Sequence, residues 1–337
     1  MNSNHACWCG QTELADFSPD YLVCENCQTL VVRNWPPAER FNVSDDASDF
    51  YGRSYYESHV TEDYGLPSLA ERARNDLNER CMHWMRTVLK YRLPPARTLE
   101  LGSAHGGFVA LMRWAGFDAT GLELSPWLVK YARSTFGVPI LTGEIDSQEL
   151  EPRSLDLILH FDVLEHLPDP LSTMRRCVEL LKPDGLLIVQ TPCFPVGRTY
   201  DEMVRDKDRF LEHFKPAEHL YLFSRASIAR LFSDVGAPFV YFEPAIFHQY
   251  DMFAVASRRE CTPHIVEEAT DALLSHPEGR IVQALLDANA QYQELARRYE
   301  ESEADREARL KNLLEMDALY KALEERLRSK KKARAKP

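Results

Sequence analysis

Residues 98–108 read Thr-Leu-Glu-Leu-Gly-Ser-Ala-His-Gly-Gly-Phe, and this stretch decides the fold. Its first four residues predict a short buried strand, and the apolar residues after them predict a helix that begins at Gly106 and runs through Trp114. Glycine at position 102 permits a positive φ and leaves no Cβ between the backbone and a ligand. The helix N-terminus offers free N–H groups to an anion or a carboxylate. Many nucleotide-binding α/β units share this arrangement.

A second strand makes the interpretation more specific. Ala119 to Glu123 ends in an acid about twenty residues after the glycines, where a carboxylate can accept hydrogen bonds from both hydroxyls of a ribose. Ser125 and Pro126 then predict the start of a helix, with the serine as N-cap and the proline in the first turn. A solvent-exposed carboxylate at the strand end is the alternative for Glu123.

Two further segments follow in a recognisable order. Residues 155–170 read Leu-Asp-Leu-Ile-Leu-His-Phe-Asp-Val-Leu-Glu-His-Leu-Pro-Asp-Pro, and residues 181–185 read Leu-Lys-Pro-Asp-Gly before a strand from Leu186 to Val189. With the glycine motif and the acid of the second strand, these segments resemble class I S-adenosylmethionine-dependent methyltransferases over roughly residues 70–260. The resemblance implies an α/β fold with a Rossmann-like sheet, helices on both faces and ligands at the C-terminal ends of the strands.

Other elements of this region follow from apolar patterning. Leu69 to Tyr91 is predicted as one helix, because its apolar residues recur at helical spacing. Val138 to Ile145 is predicted as a third strand. Phe239 to Phe242 and Met252 to Ser257 are predicted as two closing strands, and the family resemblance implies that the last is antiparallel.

The resemblance implies S-adenosyl-L-methionine as the cofactor. Glu100, Gly102 and Gly106 would approach its methionine portion, and Glu123 its ribose. At the end of the third predicted strand, Glu144 or Asp146 could reach the adenine amino group. The predicted cofactor-binding residues are Glu100, Gly102, Ser103, Gly106, Glu123, Leu124, Glu144 and His160.

Methyl transfer from a sulfonium requires alignment of the acceptor and, for a hydroxyl, removal of a proton. A neutral imidazole suits the second task. The charged and aromatic insertion between Thr191 and Phe223 is where the family holds its acceptor, and within it we predict His219 as general base. Glu218 would orient this histidine or share the acceptor contact. Packing alone is the alternative for His219.

Three other histidines compete for this role. His160 is the second candidate for catalysis, because it is expected to follow the fourth strand and face the methyl donor. His166 is expected to have a structural role at a helix start, and His105 to belong to the cofactor loop. After the insertion, Ser224 is predicted to cap a helix from Arg225 to Val235.

Four of the eight cysteines lie near the start of the chain, which favours a metal site in a reducing compartment over a disulfide framework. Tyr21 to Val23 and Thr29 to Val32 are predicted strands between and after the two cysteine pairs, as in a small zinc ribbon. Four thiolates would complete a closed structural zinc site. The first pair is separated by one residue where zinc knuckles usually have two, and His5 could replace its first cysteine. Unpaired cysteines in a loose tail are the alternative. The predicted ligands are Cys7, Cys9, Cys24 and Cys27.

An aromatic and acidic stretch connects this ribbon to the next domain. It either covers the mouth of the active site, where aromatic faces stack on sugars and flat ligands, or is a linker packed on the next domain. Its aromatic residues are Phe41, Phe50, Tyr51, Tyr55, Tyr56 and Tyr64.

The C-terminal part changes character from about Val266. Apolar residues follow a heptad pattern, which predicts a coiled coil and a homo-oligomer; a single helix folded back on the catalytic domain is the alternative. The basic tail, residues 330–337, is expected to be a solvated end, with peripheral membrane contact possible. The heptad residues are Ile281, Leu285, Ala288, Tyr292, Leu295 and Tyr299, then Leu313, Met316, Tyr320, Leu323 and Leu327.

These features predict five regions: a zinc ribbon (1–34), an aromatic linker or lid (35–68), a methyltransferase domain (69–262), a helical coiled coil (263–329) and the tail. The formal net charge of −12 argues against a nucleic-acid partner bound through a broad basic surface. No transmembrane run or signal peptide is recognisable, so we expect a cytoplasmic protein.

A cysteine-pair N-terminus on this fold resembles sugar methyltransferases of antibiotic and surface-polysaccharide pathways. The resemblance implies O-methylation of a sugar or glycan acceptor. C-methylation of a nucleotide-linked keto sugar and a non-catalytic cofactor-binding scaffold are the alternatives.

Overall fold

The computed structural model describes residues 6–41, 43, 45–47, 49–57, 61, 65 and 67–334. The chain forms two compact units, Met1–Leu285 and Leu286–Pro337. The strands are β1 (Ala15–Asp16), β2 (Tyr21–Cys24), β3 (Thr29–Val32), β4 (Arg97–Leu101), β5 (Asp118–Glu123), β6 (Ile140–Thr142), β7 (Leu155–Phe161), β8 (Leu181–Pro192), β9 (Tyr221–Leu222), β10 (Phe239–Glu243) and β11 (Asp251–Ser257). The helices are α1 (Leu69–Asn75), α2 (Arg80–Tyr91), α3 (Gly107–Trp114), α4 (Pro126–Phe136), α5 (Pro170–Leu180), α6 (Tyr200–Asp206), α7 (Arg225–Asp234), α8 (Val266–Leu274) and α9 (Gly279–Arg334).

The larger sheet of the first unit has seven strands in the order β10-β11-β8-β7-β4-β5-β6. Strands β8, β7, β4, β5 and β6 pair in parallel, and β11 and β10 add antiparallel pairs at one edge. The chain runs outward from β4 through β5 to β6 and then returns to the other side of β4 with β7. Such a reversal of strand order opens a crevice at the C-terminal ends of the strands. The predicted Rossmann-like sheet is confirmed.

Helices cover both faces of this sheet. On one face, Ile158 of β7 belongs to the same buried cluster as Met174 of α5 and Ile228 of α7. Phe161, three residues further along β7, points to the opposite face. There its ring stacks on Trp84 of α2, with ring centroids 4.2 Å apart. Continuously apolar strands are expected in a sheet that is buried on both sides.

Two predicted elements differ from the structure. The helix predicted over Leu69–Tyr91 is two helices, because Asp76–Asn78 form a 3-10 turn and Glu79 leaves helical geometry with φ −110° and ψ −100°. The predicted third strand is shortened to β6, because a turn at Gly143, with φ +106°, ends it. The predicted closing strands, with β11 antiparallel, and the caps Ser125 and Ser224 are confirmed.

A smaller sheet joins the N-terminal segment to the insertion. Its order is β1-β2-β3-β9, and β9 comes from the insertion nearly two hundred residues later in the chain. The N–H of Val32 donates to the Leu220 carbonyl at 2.9 Å, and the Tyr21 hydroxyl donates to the His219 carbonyl at 2.9 Å. The two predicted ribbon strands are therefore present, and they are packed against the segment that holds the predicted general base.

The C-terminal helix α9 is 56 residues long. Its heptad side chains from Tyr292 to Tyr320 are exposed in the single chain. The side chains from residue 323 onward, including Leu323, Leu327 and the basic residues of the tail, lie outside the described residues, as does Tyr64. Within the described part of the chain, every helix is too short or too polar to span a bilayer.

Gly106 allows a direct test of helix packing at the glycine loop. Its φ is +76°, and a Cβ at this position would lie 2.8 Å from the Cβ of Ala132 in α4. Gly106→Ala should therefore lower the free energy of unfolding by about 2–4 kcal/mol, through backbone strain and overpacking together. Urea unfolding followed by fluorescence measures the change.

Gly137→Ala is the matched control. Gly137 also has a positive φ, +66°, but no atom of the described residues lies within 4 Å of the added Cβ. This variant should lose only about 1 kcal/mol, the strain of the left-handed conformation. Equal losses in the two variants would contradict the packing role of Gly106.

Candidate active site

A cavity of about 850 Å³ opens at the C-terminal ends of the parallel strands. The loops after β4, β5, β6 and β7 line it, together with the aromatic stretch before α1 and the insertion between β8 and α7. The cavity therefore occupies the crevice that the strand order creates. It has two halves, one around the glycine loop and one around the insertion.

Glu123 organises the first half. One carboxylate oxygen accepts a hydrogen bond from the N–H of Ala104 at 2.9 Å, and the other accepts one from the N–H of Ser125 at 3.1 Å. Burial raises the pKa of Glu123, while these backbone donors act to lower it. Each oxygen can accept a further hydrogen bond, because a carboxylate offers about four lone-pair sites. The carboxylate is thus held in one orientation with capacity for a ligand.

Glu100 and Ser103 line the same half and are buried. Oε2 of Glu100 and Oγ of Ser103 have no hydrogen-bond partner among the described residues. Burial and the neighbouring Glu123 raise the pKa of Glu100 well above its usual value. Buried polar atoms without partners are rare in folded proteins. At a cavity wall, such unpaired atoms are available to form hydrogen bonds with a polar ligand.

Gly102 brings the backbone close to the cavity wall. Its φ is +67°, and a Cβ there would lie 2.5 Å from the side chain of Val163. No side chain fits between the two loops. Gly102 therefore lacks a side chain where the sequence predicts close approach of a ligand to the backbone.

A series of hydrogen bonds and ion pairs holds the glycine loop in place. Nδ1 of His105 accepts from the N–H of Gly107 at 3.1 Å, so its proton is on Nε2, which donates to Asp76 at 3.0 Å. Arg80 lies 3.7 Å from Asp76 and 3.5 Å from Asp162. The break between α1 and α2 places Asp76 and Arg80 here. His105 is therefore occupied with holding the loop.

In the second half, the imidazoles of His166 and His219 pack edge to face, with ring centroids 4.9 Å apart and planes at 76°. Nδ1 of His166 donates to the Glu218 carbonyl at 3.1 Å, and Nδ1 of His219 donates to the His213 carbonyl at 2.8 Å. The Glu218 carboxylate accepts from the Tyr55 hydroxyl at 2.8 Å. Burial lowers the pKa of both His166 and His219. Both rings are held neutral and in a fixed orientation.

Glu165 lies beside these imidazoles and was not predicted from the sequence. It is fully buried, and one carboxylate oxygen accepts from the Thr191 hydroxyl at 2.9 Å. The other oxygen lies 4.0 Å from Nε2 of His166. The Glu-His dipeptide at 165–166 was the available signal. Asp251, at the start of β11, is a second unpredicted residue of this wall, and burial with the nearby Asp162 raises its pKa to about 8.

The aromatic stretch forms part of the wall over this half. Tyr55 reaches Glu218, and the Tyr51 hydroxyl lies 3.2 Å from Nδ1 of His166. Of the two interpretations of this stretch, the contacts favour the one in which it covers the cavity. The lining aromatic residues in this stretch are Phe41, Tyr51, Tyr55 and Tyr56.

Most predicted site residues meet at this cavity, and two do not. Gly106 packs against α4 and is absent from the lining. His160 lies inside β7, which continues to Phe161, so the prediction that it follows the strand is wrong. It is fully buried on the face opposite Phe161, and burial lowers its pKa to about 3. The predicted residues that line the cavity are Glu100, Gly102, Ser103, Glu123, Leu124, Glu144, Glu218 and His219.

The four N-terminal cysteines converge in the smaller sheet. The Sγ atoms of Cys7 and Cys27 are 3.5 Å apart, those of Cys9 and Cys24 are 3.6 Å apart, and all four lie within 4.8 Å of one another. A tetrahedron with Zn–S bonds of about 2.3 Å has S···S edges of roughly 3.8 Å. The single-residue spacing of the first pair does not prevent convergence. His5 lies outside the described residues.

Comparison with known proteins points to one family. A family model described as a methyltransferase domain matches residues 72–240. The ubiquinone biosynthesis O-methyltransferase of Xanthomonas campestris pv. campestris (strain B100) is 37% identical over 105 residues, which are 29% of this chain and 44% of that protein. The protein of the same name from Xanthomonas euvesicatoria pv. vesicatoria (strain 85-10) is 34% identical over 108 residues, 30% of this chain and 45% of its own length. The chain thus spans less than half the length of these curated relatives.

Two solved structures are similar to this chain at low identity. Magnesium protoporphyrin IX methyltransferase from Synechocystis PCC 6803 has a TM-score of 0.43 and 17% identity, covering 61% of this chain and 98% of that one. The methyltransferase domain of the citrinin polyketide synthase has a TM-score of 0.43 and 19% identity, covering 56% and 54%.

Proposed function

Since this chain belongs to the methyltransferase domain family, we propose that it transfers a methyl group from S-adenosyl-L-methionine to an acceptor hydroxyl. One observation carries the proposal: Glu100 and Ser103, whose buried oxygens have no partner among the described residues, line with Glu123 the same cavity as the acceptor insertion. Cofactor and acceptor could therefore meet in one enclosed space.

The first half of the cavity fits the cofactor. Glu123 would accept the ribose hydroxyls, as its free lone pairs allow. Glu100 and Ser103 would receive the polar groups of the methionine portion, and a positively charged ammonium there would favour the ionised form of Glu100. Glu144 lines the cavity beyond β6, where the adenine would lie.

The second half would hold the acceptor. When bound, the cofactor would supply a methyl group on a positively charged sulfur, which would keep the electron pair of the S–C bond when the methyl carbon passes to the acceptor oxygen. The chain's residues have to align that oxygen, and they must either accept the hydroxyl proton or promote its loss to water. Because Nδ1 of His219 donates to a carbonyl, its Nε2 carries a lone pair. That lone pair can accept the proton, as predicted for a general base, or bind a cation that acidifies the hydroxyl.

We propose a sugar or glycan as the acceptor. Tyr51, Tyr55 and Tyr250 line this half, as do Glu218 and Asp251. Aromatic rings pack on the C–H faces of sugars, and carboxyl groups exchange hydrogen bonds with their hydroxyls. O-methylation is the first choice. The names of the curated relatives make an acceptor of ubiquinone biosynthesis the main rival.

Glu123→Ala tests the cofactor site. The variant should bind S-adenosyl-L-methionine more weakly by about 1–3 kcal/mol, the scale of a hydrogen bond to a charged group, or roughly 5- to 150-fold in Kd. Titration calorimetry on the full chain measures this. Glu307→Ala, an exposed change on α9, is the control and should leave Kd unchanged. Unaltered affinity in Glu123→Ala would remove Glu123 from the site, and no binding by the native chain would contradict the proposed function.

Two acceptor panels test the chemistry. The full chain with cofactor would be offered free and nucleotide-linked sugars in one panel and phenols and catechols in the other. We expect a mass increase of one methyl group, placed on oxygen by NMR, in the sugar panel. A product only among the phenols would overturn the sugar acceptor, and a C-methyl product would favour the keto-sugar alternative. Cofactor binding without any product would support the scaffold alternative.

We also propose that Cys7, Cys9, Cys24 and Cys27 bind one structural zinc ion. Metal analysis of the purified protein should find about one zinc per chain, because four thiolates form a closed tetrahedral site. Cys24→Ser should lose this zinc and melt at a lower temperature, while Cys261→Ser, outside the cluster, should retain it. A native chain that contains no zinc would contradict the proposal.

The long helix α9 carries exposed apolar residues at heptad spacing, including Tyr292, Leu295 and Met316. We propose that it associates with a second copy of the chain, since a two-stranded coiled coil would bury this row.

A further inference from the structure

Three side chains in the acceptor half lie close together. The nearest ligand atoms of Glu165, His166 and His219 all lie within 4.8 Å of one another. We propose that they bind a divalent cation, which would hold the acceptor oxygen. The role of the cation rests on the proposed methyl transfer, but its binding does not.

Hydrogen bonds to backbone carbonyls set the tautomer of both imidazoles. A carbonyl oxygen can only accept, so Nδ1 of His166 and Nδ1 of His219 must each carry the proton. The Nε2 atom of each ring therefore has a lone pair available for coordination. Metal-binding histidines almost always donate their other N–H to a carbonyl, a carboxylate or water in this way.

Glu165 supplies the negative charge. Its carboxylate is fully buried and oriented by the Thr191 hydroxyl. Its second oxygen, 4.0 Å from Nε2 of His166, is too far for a hydrogen bond. Burying a carboxylate without a paired charge is costly, and a cation between this oxygen and the two imidazoles would offset that cost.

The dimensions are compatible with a metal ion. Ligands at about 2.1 Å from a cation lie roughly 3.0–4.2 Å from one another. Small side-chain movements from the present separations would achieve this. Two nitrogen ligands and one carboxylate leave coordination positions open, in contrast to the four cysteines, so water or an acceptor oxygen can bind.

The convergence favours a cation over a simple general base. A base needs one unprotonated nitrogen with access to the acceptor, whereas here ligand atoms of two imidazoles and a carboxylate lie within 4.8 Å of one another. In the proposed site, the cation would bind the acceptor hydroxyl and make it more acidic. The hydroxyl proton would pass to water as the oxygen bonds to the methyl carbon. His219 would then act as a ligand.

Mn²⁺ is a suitable probe, because nitrogen and oxygen ligands accept it whereas thiolates prefer softer ions. The full chain, as purified, would be titrated with Mn²⁺ in the absence of cofactor, and free Mn²⁺ measured by electron paramagnetic resonance. We expect one bound Mn²⁺ per chain, with spin-echo modulation from imidazole ¹⁴N. The absence of binding, or binding without this modulation, would overturn the site.

Substitutions of the proposed ligands test whether the Mn²⁺ ion binds at this site. Glu165→Gln, which keeps an acceptor for Thr191, and His166→Asn should each weaken Mn²⁺ binding by about tenfold or more. The control is His264→Ala, a half-buried histidine outside the cavity that is paired with Glu268 at 3.0 Å; this variant should bind Mn²⁺ as the native chain does. Circular dichroism melting reports whether each variant is folded. Equal affinity in a folded Glu165→Gln variant would contradict the assignment.

This measurement separates the cation site from the proposed function. Mn²⁺ binding without methyl transfer to either acceptor panel would leave the site intact and contradict the function. Methyl transfer that needs no divalent cation, from a chain that binds no Mn²⁺, would retain the function and restore His219 as the general base.

Discussion

The Glu123 carboxylate ties together two loops on which the cavity depends. It accepts from Ala104 in the loop after β4 and from Ser125 at the start of α4. Hydrogen bonds to a charged group contribute about 1.5–3 kcal/mol each, yet burial outweighs them and leaves the pKa of Glu123 raised. The ionised carboxylate is thus less favourable here than in water. Hydroxyl donors from a ligand would lower that pKa again, so part of the stability lost at this position would be recovered on binding.

The N-terminal sheet is connected to the acceptor half through the backbone. β3 pairs with β9, Tyr21 donates to the His219 carbonyl, and the N–H of Leu220 donates to the Glu165 carbonyl at 2.8 Å. The cysteine cluster therefore lies at one end of a hydrogen-bonded path that ends at the two side chains on either side of the proposed cation. Disorder in the smaller sheet would remove the hydrogen bond from Tyr21 that helps to position His219. The proposed structural metal would stabilise the insertion through this sheet, since the insertion has few regular elements of its own.

The sequence predicted correctly those elements whose conformation is determined by neighbouring residues in the chain. The glycine loop, the acid that ends β5 and the Ser125 cap are set by neighbouring residues, and all are found as expected. The break at Asp76–Asn78 follows from a bond between Asp76 and His105, which helical periodicity cannot reveal. The pairing of β3 with β9 is equally non-local. His160 was misplaced because a strand end is uncertain by one or two residues, and a shift of one residue moves a side chain to the other face of the sheet.

The two proposed metal sites differ in donor chemistry and would therefore differ in their preference among divalent ions. Four sulfurs form a soft, closed site that binds zinc tightly. Two imidazoles and a carboxylate form a harder, open site with weaker preference among divalent ions. Zinc would also fit the second site and bind there more tightly than Mn²⁺, so occupancy by a harder ion would depend on the free concentrations of the two ions. The proposed open site would exchange an acceptor oxygen at each turnover, so an ion whose ligands exchange quickly would suit it. The proposed cysteine site would hold a sheet together, so an ion that does not dissociate would suit it.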